Sequence, residues 1–596
     1  MIANFTPRFN TLVEIFEHST IEFRDRPLFG VKREDSWVWM SYGAFGEEVD
    51  RVRTGLAGLG VVKGDVVGII SDNRPEWAIA AYAAYGLGAA VVPMYEAQAD
   101  DNWQYILGDS GAKAVFVASQ DIQKRVEAFQ KDLPALEYII SFTSGVLVDE
   151  FSFATLGADA SDVTPPADVE SGDIAGFVYT SGTTGKPKGV LLTHGNLANN
   201  VSAVTDVFPL ELDDRTLSFL PWAHAFGQTV ELHTVFAVGC STAFAESTHK
   251  IVANLAEVAP TMLVSVPRIF TRIYDGVKKK VAEDGGVKER VFNAAIANAH
   301  KRQELAAEGK SSRLANLQHS IFDRVVFSQV RERFGGNLKY AISGGAAIPV
   351  EVAQFIDALG MKVYEGYGLS ETSPIVTANW PGTRKIGSVG KPVPGVWVEI
   401  DDIATGDEGV GEIIVHGHCV MQGYHNLPEE NEAVFTENGG FRTGDLGRLD
   451  DEGFLFIVGR IKEQYKLANG KYVVPTIIEE KIGLSPYIVN AMVYGDGRPF
   501  NVALVVLDTA AVQAWAVQQG LELQDGKLVH NSDVLELIGA EIRTQTEGIP
   551  HYERIREFAL LGEDFTTENG MLTPTLKVKR RVVLDRYNDE LETLYQ

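Results

Sequence analysis

A glycine-rich loop near residue 180 has the composition of a phosphate-binding site. The segment Tyr179–Asn196 is YTSGTTGKPKGVLLTHGN, in which glycines 182, 185 and 189 stand among four hydroxyl side chains and two lysines. Glycine lets backbone N–H groups approach a ligand closely, hydroxyls donate hydrogen bonds, and lysines supply positive charge. These residue types indicate a phosphate site, with ATP as the first ligand to consider.

The spacing within this loop does not fit two familiar nucleotide motifs. A P-loop needs four residues between its first glycine and its Gly-Lys pair, whereas Gly182 precedes Gly185 by three positions and Lys186 is followed by Pro187. The dinucleotide pattern G-x-G-x-x-G also fails, because the third glycine is Gly189 and the loop lies in the middle of the chain. The loop therefore indicates a different way of using a nucleotide.

Further motifs in a fixed order extend this signal over nearly the whole chain. They are YTSGTTGKPKG, LPWAHAFG, ISGGAAI, YEGYGLSETSP, FRTGDLG, GRIKEQYKLANGKYVVP and LTPTLKVKRR. Their order resembles the adenylate-forming superfamily, which includes acyl-CoA synthetases, peptide-synthetase adenylation domains and firefly-type luciferases. Within it, GKYVVP, a helical insertion and the ending LTPTLKVKRR are most similar to the long-chain fatty acyl-CoA synthetases.

The resemblance implies a ligase that uses ATP, a fatty acid and CoA, with Mg²⁺ as cofactor. A carboxylate is a poor electrophile, and attack of its oxygen on the α-phosphate of ATP converts that oxygen into an AMP leaving group that a thiol displaces. Three alternatives stay open. They are an acyl-AMP ligase that loads a carrier protein, a luciferase-like oxidoreductase that acts after adenylation, and an inactive lipid-binding relative.

The resemblance also implies which residues bind the nucleotide. It places Tyr367 against the adenine with residues 344–346 on the other face, Ser370 at the α-phosphate, Glu371 on Mg²⁺ and Asp445 on the ribose. The residues expected to bind ATP or AMP are Thr180, Ser181, Gly182, Thr183, Thr184, Gly185, Lys186, Lys188, Gly344, Gly345, Ala346, Glu365, Gly366, Tyr367, Ser370, Asp445 and Arg460.

Four further residues are expected to serve the two half-reactions. The resemblance matches Lys577 to the catalytic lysine that bridges the carboxylate and the α-phosphate, Lys462 to the hinge and Gly470 to the loop on the CoA side. His224 has two interpretations, as a catalytic residue beside the acyl carboxylate or as an ordinary core histidine. The loop EQYKLANGKY is one residue longer than in many bacterial relatives.

Composition limits the class of partner and compartment. The 596 residues are 45% hydrophobic and 22% charged, with a formal net charge of -27, which argues against nucleic acid as a ligand. Two cysteines, Cys240 and Cys419, give neither a disulfide framework nor a zinc set and favour a reducing compartment. No signal peptide is recognised, so a cytoplasmic protein is expected; peripheral contact with a membrane and a dimer are both compatible with the sequence.

The fold expected from these patterns is α/β, with a large multi-sheet N-terminal domain and a small mobile α+β C-terminal lid. Apolar runs alternate with helical segments from Gly64 onward, which predicts a buried parallel sheet. The uncharged stretch Trp77–Tyr95 is predicted to be a buried helix, a glycine turn and a strand rather than a membrane span. The expected domain bounds are 1–459, with a helical insertion at about 270–334, a hinge at 460–462 and a lid at 463–596.

Overall fold

The computed structural model describes residues 5–143, 152–180, 186–401, 409–521, 528–566, 569–572 and 578–596. The chain divides into two compact units. The first contains Met1–Glu399, Ile414–Arg442 and Gly453–Leu455, and the second contains Ile400–Ile413, Thr443–Glu452 and Phe456–Gln596. Mixed helices and sheets in a large N-terminal and a small C-terminal part confirm the expected α/β class.

The strands of the described chain are numbered in chain order. The first fifteen are β1 Pro27–Arg33, β2 Ser36–Ser41, β3 Val66–Ile70, β4 Ala90–Met94, β5 Ala114–Val117, β6 Tyr138–Ser141, β7 Ile174–Thr180, β8 Lys188–Thr193, β9 Arg215–Ser218, β10 Ser241–Phe244, β11 Met262–Ser265, β12 Tyr340–Ser343, β13 Lys362–Gly368, β14 Ile375–Ala378 and β15 Lys391–Pro392. The remaining ten are β16 Val396–Asp401, β17 Gly411–Gly417, β18 Gly423–Tyr424, β19 Phe441–Leu449, β20 Leu455–Arg460, β21 Tyr465–Lys466, β22 Tyr472–Val473, β23 Ile488–Tyr494, β24 Asn501–Leu507 and β25 Ile555–Leu561.

The α-helices are numbered in the same way. They are α1 Leu12–Glu22, α2 Tyr42–Gly58, α3 Pro75–Gly86, α4 Asp100–Ser110, α5 Gln120–Gln130, α6 His194–Val207, α7 Val235–Ala237, α8 Ile251–Val258, α9 Pro267–Asp284, α10 Gly286–Ala307, α11 Arg313–Phe322, α12 Ser328–Glu332, α13 Val350–Ala358, α14 Pro428–Val434, α15 Pro475–Ile482, α16 Thr509–Gln519, α17 Ser532–Gln545, α18 Arg580–Arg586 and α19 Asn588–Thr593. Two π-helices, Gly227–Thr234 and Asp323–Phe327, and three 3₁₀ helices, Ser370–Thr372, Leu528–His530 and His551–Glu553, complete the set.

Three sheets lie wholly in the first unit. The largest has seven strands in the order β18-β8-β7-β4-β3-β5-β6, and the others have the orders β11-β12-β13-β14-β15 and β2-β1-β10-β9. The strands from β7 through β4, β3 and β5 to β6 are parallel, whereas β8 is antiparallel to β7. Strand β3 shows why the large sheet is buried on both faces, because Val67 and Ile69 join one apolar core while Val66 and Ile70 join another.

The uncharged stretch Trp77–Tyr95 is a helix, a turn and a strand, as predicted. Pro75 occupies the first turn of α3, where its missing N–H leaves no bond unmade, and Gly88 has a positive φ of 69° between α3 and β4. Both elements are buried in the first unit. No helix among the described residues combines the length and the apolar character that crossing a bilayer requires.

The second unit has its own sheet and core. Strands β23, β24 and β25 pair in that order, and β21 pairs with β22 in a short ribbon. Along β24, Val502, Leu504 and Val506 face one apolar cluster while Ala503 and Val505 face another. This period of two with both faces buried is typical of the centre of a small α+β fold. A further four-stranded sheet has the order β16-β17-β19-β20.

Candidate active site

The glycine-rich loop connects two antiparallel strands of the large sheet. Thr180 ends β7 and is paired with Lys188, the first residue of β8. Residues Ser181–Gly185, which carry most of the predicted phosphate contacts, lie outside the described residues. Helix α6 follows β8 directly and begins with a capping box, in which Thr193 and Asn196 exchange side-chain bonds with each other's backbone N–H.

Helix α4 supports both sides of this loop. The hydroxyl of Tyr179, the residue before Thr180, donates a hydrogen bond of 2.6 Å to Asp109, and burial followed by this carboxylate raises the tyrosine's pKa. On the other side, the ammonium of Lys186 lies 4.9 Å from the ring centre of Tyr105, within cation–π range. The loop therefore leaves and re-enters the sheet at fixed points.

Lys188 and Glu371 are brought together by Tyr424. The Lys188 ammonium lies 2.5 Å from a carboxylate oxygen of Glu430 and 5.1 Å from the Tyr424 ring centre. The Tyr424 hydroxyl donates a hydrogen bond of 2.9 Å to Oε1 of Glu371. Since Glu371 follows Ser370 on a 3₁₀ helix, one tyrosine positions a candidate phosphate cation and a candidate metal ligand.

The two halves of the predicted adenine site are linked by Glu365. Its buried carboxylate accepts a hydrogen bond of 3.1 Å from the backbone N–H of Ile348, in the segment after the glycine pair. Its carbonyl accepts one of 2.7 Å from the N–H of Asn379. Because Ser343 pairs with Glu365, the loop of Gly344, Gly345 and Ala346 leaves β12 beside Gly366 and Tyr367 on β13.

Glycine is favoured at two positions in this region. A side-chain carbon at Gly344 would lie 3.0 Å from the ring of Phe226, and Gly345 has a positive φ of 83°. Gly345 and Ala346 are exposed, as a ligand-facing loop requires, whereas Gly344 is buried. The loop can therefore offer its backbone to a flat ligand.

His224 is half-buried between β9 and the first π-helix. Its Nδ1 accepts a hydrogen bond of 3.2 Å from the backbone N–H of Phe226, so the proton of the neutral ring is assigned to Nε2. Phe226 is also the residue whose ring packs on Gly344. His224 is therefore two residues from the ring that packs on Gly344, and its own side chain is half-buried.

Two residues that the sequence analysis missed hold the segment that carries His224. The Asn73 side chain donates to the carbonyl of Leu220 at 2.6 Å and accepts from the N–H of Trp222 at 2.8 Å. Glu231 is fully buried on the π-helix and accepts a hydrogen bond of 2.5 Å from Ser218; burial raises its pKa to about 8. Asn73 follows β3 at the carboxyl edge of the parallel sheet, a position where α/β folds place ligand sites, and this was its only signal in the sequence.

The second unit contains the predicted ribose residues. Asp445 lies on β19, almost fully buried, and its Oδ1 is 2.6 Å from Nε of Arg460 at the end of β20. The preceding residue, Gly444, donates its N–H to Glu412 at 3.0 Å and accepts a hydrogen bond from Ile461 at 2.9 Å. The structure therefore brings Asp445 and Arg460 together, in a different unit from Lys188 and Glu371.

The remaining predicted residues also belong to the second unit. Lys462 is exposed in the turn after β20, and Gly470 has a positive φ of 84° in the tight turn between β21 and β22. Lys577 lies outside the described residues. The chain after it is anchored by Arg580, which is 2.5 Å from the carboxylate of Glu479.

The residues present suit a magnesium ion that is held mainly by its nucleotide. No group of three or more acidic, histidine or cysteine side chains is placed to hold a metal among the described residues. Mg²⁺ in nucleotide sites commonly uses one or two carboxylates together with phosphates and water. Glu371, half-buried and oriented by Tyr424, fits the part of a single protein ligand.

Comparison with known proteins identifies the family to which the chain is similar. A family model described as AMP-binding enzyme matches residues 16–425, and one for the AMP-binding enzyme C-terminal domain matches residues 462–596. The chain is 35% identical to long-chain-fatty-acid–CoA ligase FadD15 of Mycobacterium bovis, over 98% of this chain and 97% of that protein. It is 32% identical to the peroxisomal long chain acyl-CoA synthetase 6 of Arabidopsis thaliana, over 99% and 87%.

A solved structure shares the fold. The adenylation domain of a carboxylate reductase from Mycobacterium chelonae superposes with a TM-score of 0.80 at 20% identity, over 99% of this chain and 92% of that one. At this identity the likeness bears on the fold alone.

Proposed function

The chain belongs to the AMP-binding enzyme family, and from this premise we propose that it is an AMP-forming long-chain fatty acid–CoA ligase. The observation that carries the proposal is the joint placement of Lys188 and Glu371 on Tyr424. Both side chains contact one tyrosine, which supports the proposal that Lys188 binds phosphate and that Glu371 is a metal ligand. Full-length similarity to ligases named for long-chain fatty acids supports the substrate class.

The reaction has two half-reactions. In the first, an oxygen of the fatty carboxylate attacks the α-phosphorus of ATP, the bond to the β-phosphate oxygen breaks, and acyl-AMP and pyrophosphate form. In the second, the CoA sulfur attacks the acyl carbon, the bond to the phosphate oxygen breaks, AMP leaves and the thiol proton is released. Bound Mg²⁺ supplies charge neutralisation at the phosphates.

Each group of residues has a proposed part in this chemistry. The backbone and hydroxyls of residues 180–185, with Lys186 and Lys188, hold the β- and γ-phosphates, and Glu371 holds Mg²⁺. Tyr367 and the glycine loop bind the adenine, and Asp445 and Arg460 bind the ribose. Preorganised donors and cations of this kind stabilise charge that develops in the transition state.

Further residues have proposed parts in the steps that involve the fatty acid and CoA. His224, with Nε2 protonated, donates toward the fatty carboxylate, and Lys577 bridges that carboxylate and the α-phosphate. Gly470 lies on the CoA side, and residues 460–462 are the hinge of a lid formed by residues 463–596. Both cysteines are buried free thiols, which supports a cytoplasmic location.

The test is pyrophosphate release over a series of straight-chain acids, with and without CoA. We expect release to rise with chain length and acyl-CoA to form with CoA alone as acceptor. Acyl-AMP that accumulates in the presence of CoA and is discharged only by a carrier protein would favour the carrier-loading ligase. Oxygen consumption coupled to adenylation would favour the luciferase-like alternative, and lipid binding without pyrophosphate release the inactive one.

A further inference from the structure

The helical segment of residues 270–334 differs in charge from the rest of the chain. It contains 13 Lys and Arg against 8 Asp and Glu, a net charge of +5, whereas the whole chain carries -27. One of its acids, Asp323, is held by Arg331 through contacts of 2.7 and 2.9 Å. The segment is therefore a basic region on an acidic protein, and its field attracts an anionic partner.

One face of this segment carries four exposed aliphatic side chains. Leu314, Leu317, Ile321 and Val325 are 66%, 63%, 58% and 52% exposed, respectively. Their spacing of three, four and four residues places them along one side of α11 and the π-helix that follows it. We call these four residues the apolar stripe.

The apolar stripe is not the core-facing side of α11 and the π-helix that follows it. Ala315 and Phe327 are 3% and 0% exposed, and the ring of His319 packs 5.6 Å from that of Phe327. Asn298 and Arg302 of α10 hydrogen-bond to Gln318 and Asn316 on α11. The helix is therefore already packed within its unit, and the apolar stripe is an additional surface.

Two exposed arginines flank the apolar stripe. Arg313 starts α11 and Arg324 follows Ile321 by three residues, and both side chains are exposed. Neither arginine has an ion-pair partner within the part of the chain that the structure describes. Long basic side chains beside aliphatic ones are typical of helices that lie in the interface of an anionic bilayer.

We propose that the apolar stripe and its flanking arginines dock this protein on the surface of an anionic lipid bilayer. An isologous contact with a second copy would bring Arg313 and Arg324 toward like charges. Four aliphatic side chains also fall well short of the roughly 800 Å² per partner of a standard protein interface. An anionic bilayer matches both the apolar and the charged component.

The surface is inferred from its own residues, and only its role in collecting substrate rests on the proposed function. A long-chain fatty acid partitions into membranes, so a ligase docked on a bilayer collects its substrate where the substrate is concentrated. The docked helix lies in the plane of the interface, with Leu317 and Ile321 at the level of the acyl chains and the arginines at the headgroups.

The experiment is sedimentation with sucrose-loaded vesicles, in the absence of ATP, fatty acid and CoA. Vesicles of phosphatidylcholine alone are compared with vesicles that also contain phosphatidylglycerol, at low and high salt. We expect binding to the anionic vesicles that weakens as salt rises. Leu317→Ser/Ile321→Ser and Arg313→Gln/Arg324→Gln are each expected to lower the partition coefficient by roughly tenfold.

Matched variants control for exposed surface and for net charge. Val252→Ser/Val517→Ser changes two aliphatic side chains elsewhere that are 60% and 77% exposed. Lys124→Gln/Lys131→Gln removes two exposed charges, one in α5 and one directly after it. Both are expected to bind like the wild type. Thermal melting and pyrophosphate release with a water-soluble acid are expected to be unchanged in all four variants, which separates this test from that of the ligase reaction.

Several results would overturn the proposal. They are a wild-type protein that binds neither vesicle, stripe variants that bind as well as the wild type, and binding that is equal on neutral and anionic vesicles. The oligomeric state, measured by light scattering, provides a further test. A wild-type dimer that becomes a monomer in Leu317→Ser/Ile321→Ser would show that a second copy of the chain covers the apolar stripe.

Discussion

Arg460 binds Asp445 through a contact of 2.6 Å between Nε and Oδ1, so the two residues proposed to bind the ribose are already partners within the second unit. A carboxylate has room for further donors beside one guanidinium nitrogen. The pair therefore holds Asp445 in a fixed orientation, as the proposed contact with the two vicinal hydroxyls of a ribose requires.

Asp445→Ala is expected to weaken ATP binding by about 10- to 100-fold, the effect of losing hydrogen bonds to a charged group. Isothermal titration with a non-hydrolysable ATP analogue measures it. Asp451→Ala changes an exposed acid in the loop after β19 and is the control. An Asp445→Ala protein with the affinity of the wild type would remove Asp445 from the nucleotide site.

Tyr424→Phe tests the link between Lys188 and Glu371. The ring that faces the lysine is kept, and only the hydroxyl that donates to Glu371 is lost. We expect about a tenfold slower release of pyrophosphate and a higher Mg²⁺ concentration for half-maximal rate, because the carboxylate is no longer oriented.

A magnesium titration of the rate measures this effect, with Tyr472→Phe, an exposed tyrosine, as control. A slower rate without any change in magnesium dependence would assign Tyr424 to the structure of the site and not to the metal ligand.

Lys577→Ala is expected to slow adenylation by at least about 100-fold, because the lysine cation is proposed to stabilise charge that develops in the transition state. The variant should still convert preformed acyl-AMP and CoA into acyl-CoA. Lys579→Ala, two residues further along and exposed, is the control. Equal losses in both half-reactions would give Lys577 a structural role.

Lys462→Pro tests the hinge. Proline fixes φ near −65° and also restricts Ile461, so the turn after β20 loses its freedom. We expect adenylate formation to be largely kept and transfer to CoA to fall by orders of magnitude, since each half-reaction needs its own lid position. Single-turnover assays measure adenylate formation and transfer to CoA separately, and Lys462→Ala is the control. Transfer to CoA at the normal rate in Lys462→Pro would place the hinge elsewhere.

Glu231→Gln is expected to change the pH dependence of stability. Burial raises the pKa of Glu231 from its ordinary 4.5 to about 8, so between these values the folded protein keeps a proton that the unfolded chain has released. The free energy of unfolding therefore falls as pH rises from about 5 to 8, by on the order of 3 kcal/mol at pH 7 from this group.

Glutamine has no proton to lose, so the difference in unfolding free energy between variant and wild type should grow across this range. Urea titrations at several pH values measure it, and Glu17→Gln at an exposed site is the control. Parallel pH profiles for Glu231→Gln and wild type would show that the buried carboxyl does not titrate there.

The sequence predicted the parts of the fold that local chemistry decides. Trp77–Tyr95 could be divided correctly because Gly86 and Gly88 mark where the helix ends and the turn to the strand begins. The family could be identified because its motifs keep a fixed order. The assignment of roles to individual site residues stays a prediction.

Contacts between distant segments could not be predicted in this way. Glu430 lies 242 residues from Lys188, and no local pattern marks it as the lysine's partner. Glu231 is one acid in an apolar helix, and only the packing around it raises its pKa. The apolar stripe was hidden for the same reason, since spacing alone does not tell a solvent-facing side of a helix from a core-facing one.

The hydrogen bonds that Glu365 accepts from Ile348 and Asn379 have a mechanical consequence. Its carboxylate holds the segment after the glycine loop, and its carbonyl holds Asn379 on the other side of β13. The segment after the loop and the strand that carries Tyr367 are therefore tied to each other, which favours a constant spacing between the two proposed halves of the adenine site. A purine that binds between them loses its own freedom but orders little of the protein. In the proposed cycle, the adenine therefore stays in place while fatty acid, pyrophosphate and CoA enter and leave.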